Sequence, residues 1–92
     1  MDRNLDLREN LNRNSYELLR IDIEAALTFS RIASGADPQS DKRSRNQKNG
    51  RAAYDSVQHL RKNVSMSTEQ EQELDSGLVE LRTALEELGE KF

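Results

Sequence analysis

Ninety-two residues, 34% of them charged, with 20 Leu, Ile, Val or Phe and a formal net charge of −3, define one small domain over 1–92 with a thin core. The absence of cysteine excludes a disulfide framework, a thiol nucleophile and a Cys-based zinc site, and the single histidine excludes a His-cluster metal site. No basic-then-apolar leader and no long uncharged apolar run is present, so the expected setting is cytoplasmic, without a membrane partner.

Charge is uneven along the chain. Residues 1–37 carry seven acids and five bases (−2), 38–64 two and seven (+5), and 65–92 eight and two (−6). A basic middle segment beside an acidic last one favours their packing as neighbours, although each exposed pair contributes only about 0.2–1 kcal/mol.

In residues 1–14, Leu5, Leu7 and Leu11 suggest a short N-terminal extension or extra helical turn. The rhythm Leu7, Leu11, Leu18, Ala25, Ile32 would carry one helix through this segment. Asn14 followed by Glu17 resembles a capping box, however, and places the first long helix at 15–34. At 100° per residue, Tyr16, Leu19, Ile23, Ala26, Leu27, Ser30 and Ala33 share one face, and Leu18, Ile21, Ala25, Phe29 and Ile32 nearly the opposite one. A helix apolar on two sides is expected to be sandwiched between neighbours, with Glu17, Arg20, Glu24, Thr28 and Arg31 as its polar seam. Gly35 is expected at C′, ending it in a left-handed residue.

Asp37-Pro38 reads as N-cap and first helical residue of a second helix over 38–63. Gln39 to Gly50 contains no apolar residue, so the first half of this helix has little to bury. Either it is solvated from its start, or Asn49-Gly50 is a turn; the continuous helix is expected. The third helix, 67–90, opens at Ser67 or Thr68, with Gln70 or Glu71 as reciprocal capping partner. Leu74, Leu78, Leu81, Leu85, Leu88 and Phe92 follow the four-three rhythm of coiled-coil-like packing, and Gly77 and Ala84 beside it allow close approach. The expected fold is all-α: an antiparallel up-down-up three-helix bundle organised around the first helix.

Four features bear on function. The basic segment Lys42, Arg43, Arg45, Lys48 and Arg51 could attract a nucleic-acid backbone, although no aromatic is interleaved for base stacking and Asp41 and Asp55 share its outer face. Asp22 lies outside the polar seam of the first helix and would pair with Arg51, Arg61 or Tyr54 as a register-fixing contact. Helical spacing puts His59 away from the Val57 and Leu60 stripe, as an exposed side chain. Finally, Ala25, Phe29 and Ile32 lie opposite the polar stretch 39–50 and are expected to form an exposed apolar interface.

The string His59-Leu60-Arg61-Lys62 resembles the phosphorylation motif of histidine phosphotransfer domains, helical bundles with an exposed phosphorylatable histidine. That resemblance covers four residues and implies His59 as a phosphotransfer site. The glycine those domains carry after the basic residue is Asn63 here, and three helices stand against their four-helix core. Gly50-Arg51-Ala52-Ala53-Tyr54 resembles tetratricopeptide-type or microtubule-interacting hairpins, without the 34-residue repeat or the Trp, Gly and Pro set. No Gly-rich phosphate loop, Ser-His-Asp set or metal spacing occurs, and no cofactor is implied. The functional expectation is a small non-enzymatic protein-interaction or regulatory module, whose partner is a weak homodimer mate or another protein. Nucleic-acid binding through 42–51 and phosphotransfer through His59 are the alternatives.

Overall fold

A computed structural model describes the backbone of residues 3–92 and the side chains of residues 14–92. It is 82% helical, and the described residues contain no strand. Three helices, α1 (Arg3–Gly35), α2 (Asp41–Leu60) and α3 (Thr68–Glu87), run up, down and up, and each touches the other two. The molecule as a whole measures 58 × 20 × 17 Å.

The first helix begins well before residue 15. No Gly or Pro interrupts residues 3–34, and the spacing from Leu7 to Ile32 is unbroken across Asn14. A cap residue is a local preference of about 1 kcal/mol, which a continuing helix overrides. Residues 3–14 therefore extend α1, while the side chains of Leu5, Leu7 and Leu11 lie outside the described residues. With 33 residues at about 1.5 Å each, α1 is about 50 Å long against about 30 Å for its 20-residue partners, so it outreaches the bundle.

Two boundaries between α1 and α2 differ from expectation. Gly35 is helical rather than left-handed; among the described residues only Gly89 has positive φ. Asp37-Pro38 does not start α2 but occupies a turn, in which the Ser40 N–H donates to the Asp37 carbonyl at 3.0 Å and the Gln39 N–H to Asp37 Oδ1 at 3.3 Å. Ser40 is the actual N-cap: its extended backbone and its hydroxyl, which accepts from the Arg43 N–H at 3.2 Å, satisfy an otherwise orphan donor.

α2 then continues through Asn49-Gly50 without a turn. Gly50 is buried where α2 meets α1 and α3; an added Cβ would stand 3.2 Å from both Leu85 Cδ2 and Ser30 Oγ. The glycine that looked like a turn residue is a packing residue. A single 3-10 turn, Arg61–Asn63, ends the helix.

α3 opens with a complete capping box. Ser67 Oγ accepts from the Gln70 N–H at 3.1 Å, and Gln70 Oε1 accepts from the Ser67 N–H at 3.0 Å. Its end is a Schellman motif, with Glu90 N–H bonded to the Leu85 carbonyl at 3.0 Å, Gly89 N–H to Glu86 at 2.9 Å, and Gly89 at φ 105°. Leu74, Leu78, Leu81, Leu85 and Leu88 are buried as their spacing implied, and a Cβ on Gly77 would stand 3.2 Å from Ile23 Cγ2.

The core joins these leucines to Tyr16, Leu19, Ile23, Ala26 and Ala33 of α1 and to Tyr54 and Val57 of α2. The polar Ser30 within it is satisfied by donating to the Ala26 carbonyl at 3.0 Å. Both neighbours thus occupy one face of α1, and the expected sandwich does not form. Because α2 and α3 also pack on each other, three mutually touching helices leave α1 a single buried sector.

Candidate functional site

The uncovered face of α1 is the most distinctive surface of the molecule. Leu18 and Ile21 are 61% and 57% exposed, Ile32 is 38% exposed, Ala25 is exposed and Phe29 is half-buried. Ala25, Phe29 and Ile32 were expected here, because the first half of α2 has nothing apolar to lay against them. The physical reason is broader: α2 does not sit on this face at all, so the stripe reaches back to Leu18 and Ile21. Both lie on this face in the helical wheel, where the expected sandwich would have covered them.

Polar residues flank the stripe. Glu24 is widely exposed and lies 3.9 Å from Arg20 one turn earlier, while Arg31 is exposed and makes no ion pair among the described residues. Thr28, at the border between the polar seam and the apolar stripe, turns its hydroxyl to the Glu24 carbonyl at 3.1 Å and so satisfies its donor within the helix. Asp22 is half-buried beside the stripe, without the partner expected for it. Arg61 is committed to Asp75 of α3 at 2.6 Å, Arg51 to Asp55 and Glu90, and the Tyr54 hydroxyl to Gln58 at 3.1 Å.

An open groove of about 700 Å³ runs between α1 and α3, floored by Ile23, Leu27, Leu74 and Gly77 and rimmed by Glu69, Glu73 and Glu80 among others. At one end the buried Tyr16 hydroxyl donates to Glu73 Oε2, and Arg20 stands 3.8 Å from the same carboxylate. Burial, reinforced by the bond to Glu73 and its negative charge, raises the Tyr16 pKa above its ordinary value of 10.0. The phenol is therefore neutral at physiological pH and joins α1 to α3. Among the described residues, no group of three or more His, Asp or Glu converges to hold a metal ion.

The basic segment is divided by the fold. Lys42, Arg45 and Lys48 are exposed on α2. Arg43 is half-buried and donates at 3.4 Å to the Ala33 carbonyl near the end of α1, which also accepts from the Ala36 N–H at 3.2 Å. Arg51 bonds Asp55 at 3.2 Å, Glu90 at 3.4 Å and the Lys91 carbonyl at 2.6 Å, and its guanidinium lies 4.1 Å from the centre of the Phe92 ring. Phe92 also meets Tyr54 edge-on at 4.8 Å. Sequence spacing made Phe92 the next seam residue of α3 and Arg51 a surface base. The helix stops at Glu87, and the two residues meet only because the Schellman turn swings the tail across α2. His59 is exposed on α2, two turns beyond Asn49-Arg51 and apart from the α1 stripe.

Compared with known proteins, the chain matches no family model, no curated protein and no solved structure. No described helix is long and apolar enough to cross a membrane. The fold is that of a three-helix bundle, and the reading of its function rests on its own surfaces.

Proposed function

We propose that this protein is a small non-enzymatic interaction module that docks a protein partner on the outer face of α1. The observation that carries this is the alignment of Leu18, Ile21, Ala25 and Ile32 on one exposed side of the longest and most central helix. Isolated exposed leucines are ordinary, but four apolar residues in a row along a helix, rimmed by charge, form the pattern through which helices are recognised. The groove beside Tyr16 gives less support to chemistry, since Ser76, the one hydroxyl in its lining, is bonded to no base among the described residues.

The experiment compares the wild-type chain with a variant carrying Leu18→Gln, Ile21→Gln and Ile32→Gln as baits against lysate of the source cell. A protein held by the wild type and lost from the variant is the expected result. Partners retained equally by both would contradict this docking face, and turnover of a substrate abolished by a single side-chain change would contradict the non-enzymatic reading.

A further inference from the structure

We infer that the occupant of this face is a second copy of the same chain, lying antiparallel to the first along α1; the inference rests on the docking reading above and deepens it. The spacing is the starting point. Leu18, Ile21, Ala25, Thr28 and Ile32 follow each other at three, four, three and four residues, the alternation that lets two helices interlock along a seam. The residues facing the bundle, Leu19, Ile23, Ala26, Ser30 and Ala33, lie on the other side of α1, so a second copy can seat there without disturbing the core.

Charge selects the orientation. In a parallel pair, Glu17 of each copy would lie against Asp22 of the other, two like-charged contacts beside the seam. In an antiparallel pair the same edge of α1 runs along its own copy in reverse. With facing seam residues whose numbers add to 53, Ile21 meets Ile32 of the second copy and Ala25 meets Thr28 of the second copy (21 + 32 and 25 + 28). Glu24 then falls beside Arg31 of the second copy, twice by symmetry, with no like charges opposed. Sliding to a sum of 46 would instead set Glu24 against Glu24 and Asp22 against Asp22 of the second copy. One register therefore brings Ile21 against Ile32 and Glu24 beside Arg31 together, with Leu18 facing Gly35 at the end of the second copy's helix. It also gives Arg31 an ion-pair partner that its own chain does not provide among the described residues. The Ala25 and Thr28 layers at the centre are small, which keeps the association weak.

Sedimentation equilibrium from micromolar to about 1 mM protein, the range of weak association, is the test, combined with charge exchange at two exposed positions. The expected result is a concentration-dependent dimer that Glu24→Arg or Arg31→Glu each weakens roughly tenfold, and that the double exchange restores. Because the chain lacks cysteine, a spin label on Asn14→Cys reports orientation. At about 1.5 Å per residue the labels stand about 40 Å apart in the antiparallel register, against about 10 Å in a parallel pair. A strict monomer at 1 mM, a distance of about 10 Å, or a double exchange that fails to restore would overturn the inference. A monomer whose capture of another protein is still lost on Ile21→Gln would remove the second copy and leave the docking face. A dimer that persists when Leu18, Ile21 and Ile32 are all glutamine would place self-association on another surface and overturn the inference, while the docking face is judged by the capture experiment.

Discussion

Gly50 occupies the point where α2 comes closest to the rest of the bundle, and its missing side chain is what permits that approach. Leu85 is fully buried and Ser30 is held by its bond to Ala26, so neither can yield readily to a Cβ at 3.2 Å. Alanine ordinarily favours a helix over glycine by about 0.5–1 kcal/mol. At Gly50 overpacking should outweigh this, and Gly50→Ala is expected to lower stability by about 1 kcal/mol. Gly35, helical and with nothing within 4 Å, has no such constraint; Gly35→Ala is expected to raise stability by about 0.5–1 kcal/mol. Urea unfolding of both variants reads this difference in sign.

Tyr16 provides a second test on the scale of one side chain. Its hydroxyl bond to the exposed Glu73 is expected to contribute about 0.5–1.5 kcal/mol, which Tyr16→Phe would remove. The folded-state pKa is raised above the unfolded value of 10.0, so the contribution is fully present below that pH and is lost as pH rises through the folded pKa. Denaturation between pH 8 and 11 should show the wild type losing stability above about pH 10 and the Phe variant losing less of it.

At the scale of elements, the C-terminal tail is fastened to α2 by Arg51, which combines ion pairing, a bond to the Lys91 carbonyl and stacking on Phe92. Arg51→Ala is expected to cost about 1–2 kcal/mol, and Arg51→Lys to recover only part of it, since an ammonium lacks the flat fork that stacks and bonds at once. Thermal unfolding measures the cost, and the NMR shifts of the Phe92 ring report release of the tail.

The inner face of α1, from Tyr16 to Ala33, was legible in the helical wheel because burial follows a 3.6-residue period, and the Ser67/Gln70 box because both capping partners lie within one turn. Periodicity could not say which of the two apolar faces of α1 would be covered. That depends on how α2 and α3 pack on each other, and the spacing within one helix does not contain it. Asn14 misled because a good cap residue is also tolerated inside a helix that already has neighbours on both sides in sequence. The Arg51 clasp was invisible for a related reason: it joins residues about forty positions apart through a left-handed glycine whose direction a linear pattern does not encode. On the outer face of α1, the polar character of 39–50 points to exposure of Ala25 and Ile32, whereas exposure of Leu18 and Ile21 follows only from α2 lying on the other side of the helix.

Across the whole molecule, α2 adds only Tyr54 and Val57 to the buried apolar core, while α1 and α3 supply the rest. Its attachment relies additionally on close approach at Gly50, on the bridge from Arg51 to Glu90 of the tail and, just past its end, on the bridge from Arg61 of the 3-10 turn to Asp75 of α3. A bundle so economical in its interior, yet carrying Leu18, Ile21 and Ile32 outside it, has apolar surface that folding does not use.

The most direct test is urea unfolding of the chain with Leu18→Gln, Ile21→Gln and Ile32→Gln, carried out at low micromolar protein beside the wild type. If these residues belong to a docking face, stability should change by no more than about 0.5 kcal/mol per substitution, with the unfolding slope unchanged, while association is lost. A loss of about 2–5 kcal/mol per site, the range for truncating core residues, would show that the face is part of the interior and would contradict the assignment of the outer side of α1 to a partner.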